Sequence, residues 1–111
     1  MTLREWCRAN WNILSAEVRK ECVDHLDVWF SPETKASDIE WLRNYEKQPG
    51  FHFLGGGMQI RNRLRDKLKD IDLPVVTKDK DGKPYGPSQN WDDYYTGAID
   101  ELLARHPKET V

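Results

Sequence analysis

Residues 15–32 read SAEVRKECVDHLDVWFSP, in which Val18, Cys22, Leu26, Trp29 and Phe30 recur at spacings of four, four, three and one. That is the apolar stripe of an amphipathic helix, because residues three and four apart share one face of a 3.6-residue turn. Ser15 supplies the N-cap, and Ser31-Pro32 closes the helix because the residue before proline is pushed out of the helical region. Upstream, Thr2 with Glu5 forms a capping box ahead of Leu3, Trp6, Cys7 and Ile13 or Leu14, which predicts a first helix starting beside residue 2. Downstream, Ser37 with Glu40 forms a second box before Ile39, Trp41, Leu42 and Tyr45, a third helix that stops before Pro49-Gly50.

The second half is punctuated differently. Phe51-His52-Phe53-Leu54 is too aromatic for a free loop, so burial is expected, and it runs directly into Gly55-Gly56-Gly57. Ile60, Leu64, Leu68 and Ile71 then follow at helical spacing, with Arg61, Arg65 and Lys69 as a separate stripe round the same cylinder. From residue 72 to 90 the chain is rich in Pro, Gly, Lys and Asp. There Val75-Val76-Thr77 and Lys83-Pro84-Tyr85 can pair as a short hairpin across residues 79–82, or the segment is a mobile loop. Asn90 with Asp93 caps a last helix whose Tyr94, Tyr95, Ala98, Ile99, Leu102 and Leu103 face inward before His106-Pro107 ends it. The expected fold is a single mainly α domain over residues 1–111, of about five helices, with room for a short β-hairpin near residues 75–86.

Composition narrows the class. Hydrophobic residues make up 38% and charged residues 32% of 111, and five Trp, four Tyr and three Phe supply enough bulk to close one small core. No apolar run approaches the roughly 18 residues of a spanning helix, and residues 1–5 lack the layout of a secretory leader. A soluble cytoplasmic protein is therefore expected. The net charge of −2 excludes an overall basic footprint, but residues 58–83 carry eight positive and five negative charges between acidic ends. Cys7 and Cys22, without a secretion signal, read as reduced thiols packed as small apolar groups.

A glycine run opening a helix with arginine in its first turns suggests an anion site, since free amides and the helix dipole both favour negative charge. The alternative is that the glycines allow a sharp turn and close approach of Phe51 and Phe53 to a neighbouring helix. No phosphate-loop or dinucleotide fingerprint is present. Residues 51–62, FHFLGGGMQIRN, resemble the pattern His-Phe-Gly-x-Gly-x-x-Ile-Arg-Asn of an uncharacterised family of small phage and bacterial proteins. In that family an acidic-capped helix follows, which residues 92–99 resemble, so the likeness covers about half of the chain. Leu54 and Gly55-Gly56-Gly57 depart from the tidier Gly-x-Gly. The resemblance implies a phage or mobile-element accessory protein and brings no activity with it.

A structural account of the same pattern is a clasp between two helices. The Arg61 guanidinium would meet Asp92 or Asp93, His52 would donate to a backbone carbonyl, and Asn62 would cap or bridge to the next loop. Other chemistry is weakly supported. Cys22 and His25 with Cys7 and His52 lack the paired spacing of a zinc site, and a calcium loop around Asp79 and Asp81 would place Thr77 and Ser88 where carboxylates are needed. No nucleophile comes with an oxyanion-hole signal. No cofactor, metal or enzymatic activity is therefore expected.

Two binding functions remain. The first is non-catalytic binding of a host or phage protein, such as a host defence complex, with Trp11, Arg61, Arg65, Lys69 and Tyr85 as the partner-binding residues. Trp11 falls off the Leu3, Trp6 and Cys7 stripe and so reads as available, and a homodimer would equally use the aromatic surplus. The second is nucleic-acid or phosphate binding at the Gly55–Gly57 helix entrance and the Arg61, Arg65 and Lys69 stripe, which Asp66 and Asp70 interrupt.

Overall fold

The Thr2 capping box closes in both directions, the Glu5 amide donating to Thr2 Oγ1 at 3.1 Å and the Thr2 amide to Glu5 Oε1 at 2.8 Å. It opens α1, Leu3–Trp11. Ser15 Oγ accepts from the Val18 amide at 3.2 Å and opens α2, Ala16–Trp29. The computed structural model describes residues 1–52 and 55–107. Along them follow α3 (Lys35–Leu42), a 3-10 turn (Tyr45–Lys47), α4 (Gly56–Lys67), β1 (Val76–Lys78), β2 (Pro84–Ser88), a second 3-10 turn (Trp91–Asp93) and α5 (Tyr95–Arg105). The fold is mainly α, with five helices and one antiparallel two-stranded hairpin among the described residues.

Residues 72–90 thus contain a hairpin rather than a featureless loop. Its turn is held by Asp79, whose Oδ1 accepts from the amides of Asp81 at 2.9 Å and Lys83 at 3.0 Å, while Gly82 takes the positive φ of 79° that the reversal requires. Val76 pairs with Ser88 and Lys78 with Pro84, with a break in register between them.

The core is organised by α5. Residues Tyr95, Thr96, Gly97, Ala98, Ile99, Asp100 and Leu102 are all buried, which is what a helix covered on most sides looks like. The N-terminal helices α1 and α2 pack on it, contributing Cys7, Trp11, Cys22, Val23 and Leu26. Of the two alternatives after α1, Leu14 is buried and Ile13 is exposed. The α4 stripe of Ile60 and Leu64 closes the other side with Phe51. Phe53 and Leu54, expected to be buried, lie outside the described residues.

Helix boundaries in α3, α4 and α5 differ from the sequence reading. The α3 helix begins at Lys35 behind Thr34, because the Lys35 amide already bonds to Ser31 O at 2.9 Å, and Ser37 Oγ turns back to Thr34 O at 2.9 Å instead of capping. Tyr45 consequently lies in the following 3-10 turn. The α4 helix ends at Lys67, leaving Ile71 in a turn whose amide reaches Leu68 O at 3.2 Å. Asn90 does cap, accepting from the Asp92 amide at 3.1 Å, but what it caps is the 3-10 turn, and α5 starts only at Tyr95.

Candidate functional site

The glycine run is a packing device. A Cβ on Gly56 would stand 2.2 Å from the Trp41 ring, and one on Gly57 would stand 2.6 Å from Phe51 O, so only glycine lets these groups approach. Three amides at the start of α4 are also committed. Gly57 donates to Phe51 O at 2.9 Å, and Met58 and Gln59 donate to Gly55 O at 3.1 and 3.3 Å. A phosphate would have to displace these bonds.

One turn further, Arg61 Nε lies 3.2 Å from Asp92 Oδ1, at the start of the second 3-10 turn. The approach is too oblique for a hydrogen bond, so Nε is buried without a hydrogen-bonding partner and the contact is ionic. Arg65 reaches the same oxygen with both terminal nitrogens at 3.1 Å. Two guanidinium ions therefore share one carboxylate oxygen, leaving a surplus positive charge. The Arg61 guanidinium also lies over the Tyr95 ring at 4.9 Å.

The remaining clasp residues are placed differently from expectation. His52 Nδ1 bonds to the Tyr95 hydroxyl and not to a backbone carbonyl. Burial, and then the Arg61 charge, hold its pKa below the usual imidazole value, so the ring is neutral at pH 7. Asp93 does not pair with Arg61. It is buried and accepts from Tyr85 Oη at 2.9 Å and Ser88 Oγ at 2.7 Å, with no cation within ion-pair distance among the described residues. Asn62 is exposed, with no side-chain hydrogen bond among the described residues, because it faces away from the Ile60 and Leu64 side of α4.

Arg61, His52, Asp92 and Asp93 line an open cavity of about 430 Å³. Its walls are Leu3 and Trp6 of α1, the hairpin turn at Asp79–Asp81, Tyr85, Arg61 with His52, and the pair Asp92 and Asp93. Trp6 stands edge-on to Tyr85 with ring centres 5.7 Å apart and donates from Nε1 to Lys78 O at 3.0 Å. The far side of Trp6 borders a second hollow of about 390 Å³ between α1 and β1, lined in part by Met1, Ile13 and Val75. Those three side chains are 65%, 70% and 53% exposed.

Trp11, expected at the surface, is a correction. It is 1% exposed, its indole lies on Gly97 of α5, and Nε1 donates to Glu101 Oε1 at 2.8 Å. It stands four residues after Cys7 and so continues the buried stripe. Lys69 is exposed beyond the end of α4. Tyr85 is about one-third exposed, 37%. Among the described residues no three His, Cys, Asp or Glu side chains are grouped to hold a metal ion, so Cys7, Cys22, His25 and His52 do not converge.

The sequence reading missed one cluster. Asp100 of α5 is buried and bound by Arg4 Nη2 at 2.8 Å, Arg8 at 3.4 Å and Tyr45 Oη at 3.1 Å, and Arg4 also meets Glu46 at 2.8 Å. Burial, and then the Asp100 carboxylate, raise the Tyr45 pKa, and the same carboxylate raises that of Arg4. The available signal was an acid at residue 100 directly beside Ile99 in an apolar stretch.

Compared with known proteins, the chain matches no protein-family model, no curated protein and no solved structure. No helix among the described residues is long and apolar enough to cross a membrane.

Proposed function

We propose that this chain is a non-catalytic protein-binding accessory protein that docks its partner in the hollow between α1 and β1. The observation carrying this reading is that Met1, Ile13 and Val75 border one hollow while more than half exposed. Apolar side chains gathered in a surface depression mark interaction sites, whereas scattered ones need no explanation. Lys78 and Lys80 outnumber Asp79 at the edge of the hollow, so the fitting occupant is a segment with apolar anchors and acidic flanks. The likeness of residues 51–62 to phage and bacterial proteins supports a phage or mobile-element setting in the bacterial cytoplasm. A host defence complex is then the partner class. Phosphate or nucleic-acid binding has less support, because Asp92 offsets one of the two charges of Arg61 and Arg65 and the amides of Gly57, Met58 and Gln59 are used within the fold.

The test is affinity capture from bacterial lysate with the wild-type protein, Ile13→Asp and Val75→Asp, each with and without nuclease. One stoichiometric partner that survives nuclease and is lost with both variants is expected. Capture that disappears with nuclease, or that ignores both variants, overturns the reading. Both changes lie at exposed positions and should leave folding within about 0.5 kcal/mol of wild type, which thermal melting checks.

A further inference from the structure

We infer that the cavity behind Trp6 is a binding site for a small zwitterion, an α-amino acid with an aromatic side chain. Two groups on its walls lack the partner their charge calls for. Arg61 is a cation whose side chain is only 16% exposed, whose Nε makes no hydrogen bond, and whose one counter-ion is shared with Arg65. Asp93 is a carboxylate only 1% exposed that receives two hydroxyl donors and no cation among the described residues. A guanidinium with free donors favours a planar carboxylate, and a buried carboxylate with unused lone pairs favours an ammonium group.

The rest of the wall selects against singly charged ligands. Four carboxylates, Asp79, Asp81, Asp92 and Asp93, face the cations Arg61 and Lys80, with Arg65 adding a third charge on Asp92. His52 adds no charge at pH 7. A phosphate or a lone carboxylate gains Arg61 but meets the acidic surround, and a lone amine gains Asp93 but meets Arg61. A molecule carrying both charges and no net charge meets each with its opposite. The body of the ligand would lie among Trp6, Tyr85 and Tyr95, whose faces and edges suit an aromatic ring. The cavity is at the small end of the range for ligand sites, about 300–1,000 Å³, as a single amino acid requires.

The site shares Trp6, Asp79 and Lys80 with the protein-docking hollow but does not rest on that reading, and its test uses the purified protein alone. L-phenylalanine, 3-phenylpropanoate and phenethylamine are titrated while amide and side-chain resonances of His52, Arg61 and Tyr85 are followed by NMR. L-phenylalanine should saturate, and each single-charge analogue should bind at least about tenfold more weakly, the loss expected for one charge-assisted hydrogen bond. Arg61→Gln should remove most of the affinity for L-phenylalanine. Asp93→Asn should abolish its advantage over 3-phenylpropanoate. Since either variant can fail to fold, the analogue series on the wild-type protein stands by itself. No saturable shift with L-phenylalanine up to about 10 mM, where even millimolar affinity shows, overturns the proposal, as does equal binding of either analogue.

Discussion

The indole of Trp11 and the backbone of Gly97 are in such close contact that a Cβ on Gly97 would fall 2.3 Å from Trp11 Cγ. The α1 and α5 helices meet through this contact, and Trp11 Nε1 is anchored beyond it on Glu101. Gly97→Ala should therefore destabilise by about 1–3 kcal/mol through overpacking, despite alanine's better helix propensity. Urea denaturation measures it. A stabilised variant would show that the helices separate without cost.

Arg4→Met tests the buried cluster. It removes the closest cation from Asp100 while Arg8 and the Tyr45 hydroxyl remain, so the expected loss is about 2 kcal/mol, in the range for hydrogen bonds to charged groups. Since the Asp100 side chain is only 2% exposed, the difference between Arg4→Met and wild type should persist in high salt, unlike that of an exposed pair. A difference abolished by salt would count against the cluster.

His52 predicts a pH dependence. Its pKa in the fold lies below the ordinary 6.5, chiefly because burial disfavours the imidazolium. Below about pH 6.5 the unfolded chain therefore takes up the proton first, and stability declines as pH falls through the folded-state value. Above that pH the residue contributes no slope. His52→Gln should flatten this part of the melting-temperature profile relative to wild type, and parallel profiles would refute the assignment.

The two thiols should be silent until the protein unfolds. Burial pushes Cys7 up to about 11 and Cys22 up to about 12, so almost no thiolate exists at neutral pH. Labelling with a disulfide reagent at pH 8 should proceed at the opening rate of the fold and reach completion immediately in denaturant. Fast labelling of native protein by either thiol would contradict this placement.

What the sequence disclosed and what it hid follow from the range of the forces involved. Thr2 with Glu5 and Ser15 with Val18 are contacts within one turn, so their residue types already specify the caps. The Val18, Cys22 and Leu26 stripe was legible for the same reason. Ser37 was misjudged because its hydroxyl had a local alternative, the Thr34 carbonyl, that propensity does not rank. The site was legible in part. Arg61 and Asp92 come together across the fold, but which of two adjacent acids takes the arginine was set by Tyr85 and Ser88, which claim Asp93 first. Asp100 was hidden because an acid on a helix is ordinarily solvated, and distant groups, Arg4 96 positions away with Arg8 and the Tyr45 hydroxyl, make its burial tolerable.

That sequence distance has a consequence for synthesis. The α1 helix is held by α5 through Trp11 to Glu101, 90 positions on, and by the 3-10 turn before it through Asn10 to Asp93 O, 83 positions on. On a ribosome adding about 5–20 residues per second, Trp11 waits roughly 5–20 s for its partner. During that interval the indole and its neighbours on the Cys7 face have no α5 to cover them. The chain can complete its core only after the last helix emerges, so a nascent chain stalled before residue 95 should be a chaperone and protease substrate, whereas the finished one is not.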